Sequence, residues 1–214
     1  MIDSYAKLPL GLYLDIRALQ EDDALDPVDL RVAIVAALTG KTDREVLDAP
    51  IAESSEWFAA AAFLEHDCDI PKRIADSYSL AGWELIPTTN LRKITTAQYI
   101  DFQTYAPGGE KNLPSLLSVF LVPKGRAYND GYDTAAVQQA IRDQLPISDV
   151  LALSAFFLTR YAALIRTSRS FLGRILKQER DPRKQERIRT RLQTLETVVE
   201  TLRTVGAGSP ASTA

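Results

Sequence analysis

One cysteine, one histidine and one methionine stand in a chain of 214 residues, and each scarcity closes off a chemistry. A lone Cys68 leaves no disulfide framework and no four-thiolate metal site. A lone His66 removes His-rich metal sites and any relay that needs two imidazoles. Long apolar runs are missing too: the segment from Val150 to Leu158 is interrupted by Arg160, and Arg166 and Arg169 follow. A membrane span needs about 20 predominantly apolar residues, so this segment reads as a core helix. The opening MIDSYAKLPLGLYLDI has neither a basic n-region nor a long apolar h-region, and cytosolic synthesis is the expectation. Neither G-x-G-x-x-G nor G-x-S-x-G occurs. Val122-Pro123-Lys124-Gly125 lacks the leading glycines and the Ser/Thr of a phosphate loop. No enzymatic chemistry is indicated.

What is present is an ordinary globular mixture, 46% hydrophobic and 25% charged, with enough apolar material for a core. The net charge of −3 hides a division. From Arg160 onward there are 12 basic and 5 acidic residues, whereas residues 1–159 hold 13 and 23. Such asymmetry marks an interaction segment, or two parts that attract each other.

Helix punctuation is clear. Leu10 to Gln20 reads as a helix with Leu12, Ile16 and Leu19 on one face. Asp26-Pro27-Val28-Asp29 offers a capping carboxylate, proline at the first helical position and an acid in the first turn. Leu30, Ala33, Ile34, Ala37 and Leu38 recur at helical spacing, and Gly40 supplies the left-handed stop. Thr42-Asp43-Arg44-Glu45 is a capping box for a short helix ending before Pro50. A helix over about 52–66 is expected to bury Trp57, Phe58, Ala61, Ala62 and Leu64. Alternation around Ala81-Gly82 permits a small β-hairpin near 77–87. Thr95-Thr96-Ala97-Gln98 is a second capping box, leading into a helix with Tyr99, Ile100, Phe102 and Gln103. Pro114 to Leu121 reads as an apolar helical stretch ended by Pro123 and Gly125. Asp133 caps a helix to about Gln144, and Ser148 caps the longest one, Asp149 to about Lys177, whose Leu153, Phe156 and Phe157 should be buried.

The last part is a separate module. Asp181-Pro182 starts a helix in which Ile188, Leu192, Leu195, Val199 and Leu202 follow at spacings of 4, 3, 4 and 3. That is a seam of about two heptads, short for a coiled coil. It can fold back on the preceding helix or pair with another chain. Arg183, Lys184, Arg187 and Arg191 sit within a basic run that opposes the macrodipole at a helix start. The run contains no aromatic for base stacking and no docking motif, so a solvated helix face or an acidic protein partner is favoured over nucleic acid, and the opposition to the macrodipole points to the acidic partner. The tail from Gly206 has little to order it.

Two constellations could carry chemistry. In Glu65-His66-Asp67-Cys68-Asp69 the i, i+2 placement of His66 and Cys68 splays them apart on a helix, so a polar helix end is the better reading. Placing Gly131 sixth in a calcium loop would put Arg126 first and Val137 twelfth, where acids are required, so Asn129-Asp130-Gly131 is turn chemistry. No metal and no cofactor are expected.

The stretch Leu38-Thr39-Gly40-Lys41-Thr42-Asp43-Arg44-Glu45-Val46-Leu47-Asp48-Ala49-Pro50-Ile51, after the leucine-rich opening, resembles the N-terminal part of tailed-bacteriophage tail assembly chaperones. Ile94 to Gln103 and Leu116 to Gly125 resemble segments of longer members from phages of gut bacteria. The likeness covers about residues 8–160. It implies a mostly helical, non-enzymatic protein that binds the tape-measure protein, helps bring tail-tube protein to it, and usually leaves the finished virion. The basic module after Arg174 departs from the short members. It leaves open a structural role in the particle, in tail, baseplate or neck.

The expectations are therefore an all-α or nearly all-α helical bundle over 1–177, a basic heptad-bearing helix over 178–205 and a disordered tail over 206–214. Function is expected to be that of a phage tail assembly chaperone in the host cytoplasm, with a retained virion protein as the alternative and a basic DNA-associated protein as the weaker one. Partners would be the tape-measure and tail-tube proteins and a second copy in a homo-oligomer, with no membrane. The candidate partner-binding residues are Ile188, Leu192, Leu195, Val199, Leu202, Arg183, Lys184, Arg187 and Arg191.

Overall fold

The computed structural model describes residues 1–157, 159–160 and 181–186. In order come α1 (Leu10–Gln20), α2 (Pro27–Thr39), α3 (Asp43–Leu47), α4 (Ile51–Ala61), β1 (Tyr78–Leu80) and β2 (Trp83–Pro87). There follow α5 (Thr96–Tyr105), α6 (Leu113–Ser118), β3 (Leu121–Pro123) and α7 (Thr134–Gln144). Residues 147–157 form a last helix, α8, and 182–186 are helical. The protein is mostly helical with one small sheet of strand order β1-β2-β3, so it is not strictly all-α. Among the described residues no helix is long and apolar enough to cross a membrane.

The chain divides into two compact units, Met1–Leu85 with Gly131–Ala152, and Ile86–Asp130 with the residues from Leu153 onward. In the first, Pro9 and Pro146 form an antiparallel bridge, flanked by hydrogen bonds from Leu10 N–H to the Leu145 carbonyl (2.9 Å) and from Ile147 N–H to the Leu8 carbonyl (2.8 Å). Leu8, Leu10, Leu145 and Ile147 are buried around it, with Ile16 from α1 and Val137 and Ile141 from α7. α1 and α7 touch closely: a Cβ on Gly11 would stand 2.9 Å from Arg142 Cγ and 3.0 Å from its carbonyl oxygen. Only glycine allows that approach. Arg142 also pairs with Asp15 at 3.1 Å.

Sequence punctuation sets most boundaries. The Asp26 carboxylate accepts the N–H groups of Val28 and Asp29, and Gly40 closes α2 at φ 70°. Both capping boxes form, Thr42 with Glu45 and Thr95 with Gln98. Asp133 caps α7 through the N–H of Ala136. The hairpin forms as well, with Tyr78 opposite Leu85 and Leu80 opposite Trp83. Its turn places Ala81 and Gly82 at positive φ, 47° and 82°, as a two-residue connection of the primed type demands. The Ala81 N–H is held by Gln144 Oε1 at 2.6 Å.

In the second unit, Phe102 of α5, Phe120 and Phe157 of α8 form a chain of ring contacts. Phe102 meets Phe120 edge-on at 5.6 Å, and Phe120 stacks on Phe157 at 4.4 Å. Gln98 is buried, and its Nε2 donates to the Val119 carbonyl at 2.8 Å. Leu153 and Phe157 are buried as expected, whereas Phe156 is only half-buried.

Other expectations are refined or corrected too. The apolar stretch expected as one helix to Leu121 breaks after Ser118, and Leu121–Pro123 is a strand beside β2, because short apolar runs fit either state and neighbours choose. Ser148 does not cap α8: the helix already begins at Ile147, and the Val150 N–H, which a cap at 148 would take, donates to the Pro146 carbonyl at 3.0 Å. α2 forms as expected from its apolar spacing, but apolar residues outside that series go deepest: Val32, Val35 and Ala36 are buried with Leu38, while Leu30, Ala33, Ile34 and Ala37 are half-covered. The helix expected over 52–66 is α4 followed by a 3₁₀ turn over Ala62–Glu65, and none of its residues is buried. The expected chain boundaries at 177/178 and 205/206 lie outside the described residues.

Candidate functional site

α2 is apolar on more than one side, and two different surfaces claim it. Val32, Val35 and Ala36 pack with Val46 of α3, and Trp57 and Ala61 of α4 close over this cluster. The Lys41 ammonium stands 4.9 Å above the Trp57 ring, a cation–π contact that ties the α2–α3 connection to α4. The other side of α2 carries Leu30 and Ile34. They form one wall of an open groove of about 320 Å³, whose opposite wall is Phe58, Ala61, Ala62 and Leu64. Gln20, Pro27, Arg31 and Glu65 stand at its margin.

The groove wall is fastened from behind. Tyr5 meets Phe63 edge-on, with centroids 5.0 Å apart and planes at 87°. Its hydroxyl reaches the carbonyls of Leu64 (3.3 Å) and His66 (3.0 Å). Burial pushes the Tyr5 phenol above its ordinary range, with the neighbouring Cys68 adding to the shift, so it remains a donor at neutral pH. The 3₁₀ turn is thus pinned, and Leu64 faces α2 from a fixed position.

Several apolar side chains of the first unit are exposed. Val28, Leu47, Ile51, Phe58 and Ile70 are all exposed, Ile51 at 85%. Within residues 1–69 there are 15 acidic and 5 basic residues, a balance of −10. Glu21, Asp22, Asp23, Asp26 and Asp29, around the start of α2, are exposed, as are Glu53, Glu56 and Glu65 along the α4 side. The groove is thus an apolar trough within an acidic stretch of the chain.

Other candidates contribute less. The Cys68 thiol is pushed up by burial first and by Asp69 second, away from the reactive thiolate. His66 ends the 3₁₀ turn. Among the described residues no cluster of three His, Cys, Asp or Glu side chains could hold a metal ion. The 126–133 segment is a turn, with Asn129 and Gly131 at φ 60° and 64°. Arg183 and Lys184 are exposed, and the Arg183 N–H donates to the Asp181 carboxylate at 2.9 Å, the capping expected from Asp181-Pro182. Ile188, Leu192, Leu195, Val199, Leu202, Arg187 and Arg191 lie outside the described residues. The groove was not found from sequence, although the unused apolar residues of α2 and α4 were its signal.

Comparison of the chain with protein-family models, with curated proteins and with solved structures finds no match.

Proposed function

We propose that this chain is a non-enzymatic assembly chaperone of a phage tail, which binds helices of the tape-measure protein and assists assembly of the tail tube. The observation that carries the reading is the open α2–α4 groove. Its walls are joined by residues 38–51, one of the stretches that carry the resemblance to tail chaperones. Holding a long apolar client soluble requires an apolar surface left uncovered in the folded protein, and helix-in-groove recognition uses one of this kind.

Co-expression with the tape-measure protein of the same phage tests it. The client should stay soluble and co-purify, and Ile34→Glu in the groove should return it to the pellet. Mass spectrometry of purified particles should find this chain absent or strongly substoichiometric. Recovery at a fixed stoichiometry would instead favour a structural subunit retained in tail, baseplate or neck, the reading that the basic run after Arg174 supports. DNA binding that weakens steeply with salt would favour the DNA-associated role.

A further inference from the structure

The groove and the chain's own C-terminal sequence are complementary in two respects, apolar surface and charge. The groove is an apolar trough between two helical walls, of about 320 Å³. The segment 183–202 carries an apolar seam, Ile188, Leu192, Leu195, Val199 and Leu202, of the i, i+4, i+7 spacing that fills such troughs. The surface around the groove belongs to a stretch with a balance of −10, while Arg183, Lys184, Arg187, Arg189 and Arg191 precede or enter the seam with Glu186 as their acid. A two-heptad helix with cations in its first turns is weak alone. Against an acidic surface the same cations become favourable, and the seam gains the cover it lacks.

We propose that the α2–α4 groove receives the 183–202 segment of a second copy of this chain. Two copies exchanging segments reciprocally close into a two-fold dimer, whereas one-way exchange would run on into open chains. The docked segment covers Phe58, Leu30 and Ile34 until a client displaces it, which removes the aggregation hazard of an uncovered apolar groove. The client role rests on the chaperone reading. The self-docking does not, and it is tested without any client.

Sedimentation velocity on the full chain is the experiment. A dimer is expected that weakens as salt is raised, because the pairing charges are screened over ~8–10 Å near physiological ionic strength. Ile34→Glu in the groove and the joint reversal Arg183→Glu, Lys184→Glu, Arg187→Glu, Arg191→Glu in the tail should each weaken the dimer about tenfold or more. The decisive arm adds Asp23→Lys and Glu65→Lys to the tail reversal. Both acids are exposed, so folding is untouched, and the swapped charges should restore most of the dimer. A chain that is monomeric at every concentration overturns the proposal. So does a dimer indifferent to the groove and tail changes, or a charge swap that restores nothing. A client that still binds when the dimer is absent would leave the chaperone reading standing.

Discussion

α4 and α7 are both eleven residues long, and they are treated in opposite ways. α4, IAESSEWFAAA, is the more apolar in composition and buries no residue. α7, TAAVQQAIRDQ, is half polar, yet Val137 and Ile141 are fully buried and Ala140 nearly so. The difference is in what each meets. α7 lies against α1 and β1, where Gly11 admits the Arg142 backbone at van der Waals distance. α4 meets α2 through Trp57 and Ala61, but between Phe58 and the Leu30–Ile34 side of α2 the groove stays open, so Phe58 remains 38% exposed. Apolar content alone does not decide burial; a facing surface does. A helix whose apolar side stays open is available for recognition.

The contrast can be broken by mutation. The largest effect is expected in the second unit, where Phe157→Ala removes a buried ring stacked on Phe120 and should cost about 3–5 kcal/mol in urea melts. Phe156→Ala, at a half-buried ring, should cost clearly less. If the two cost the same, the aromatic stack is not the anchor.

Within the first unit, Ile141→Ala should cost about 2–5 kcal/mol, while Phe58→Ala should cost about 1 kcal/mol or less and act on binding instead. A Phe58→Ala protein that melts as early as Ile141→Ala would show α4 to be covered in solution. Gly11→Ala should cost about 1–3 kcal/mol in urea melts by forcing α1 away from Arg142.

The smallest effect concerns the link between the groove's two walls. The backbone N–H of Thr42, then its hydroxyl, holds the Glu45 carboxyl below the ordinary glutamate value. A carboxylate with a lowered folded pKa contributes stability that is present above its unfolded pKa and lost as pH falls through the folded one. The capping box should therefore support α3 at neutral pH and weaken below about pH 4. Glu45→Gln should flatten that part of the acid unfolding curve. An unchanged acid limb would mean that the box is open in solution.

Local signals were legible because their physics is local. Asp26, Thr42, Thr95 and Asp133 each satisfy amide groups within three residues, so helix starts could be read from side-chain type alone. Ala81-Gly82 marked its turn for the same reason. Ser148 is no cap because the chain turns helical two residues earlier, after the Pro9–Pro146 bridge, where the Pro146 carbonyl takes the Val150 N–H. The heptad seam was legible as a pattern but lies outside the described residues; of the residues offered as a binding surface only Arg183 and Lys184 are described, both exposed.

The sequence by itself determined where helices begin and stop, which residues are apolar at helical period, and that charge separates between the two parts of the chain. Only the tertiary structure decided which side of α2 enters the core, that Leu121–Pro123 joins a sheet, and that α4 keeps an open face. Capping and turn formation involve neighbours a few residues apart, so they are fixed by adjacent side chains. Burial depends on surfaces contributed from tens of residues away, and a single helix carries no record of whether such a surface will arrive.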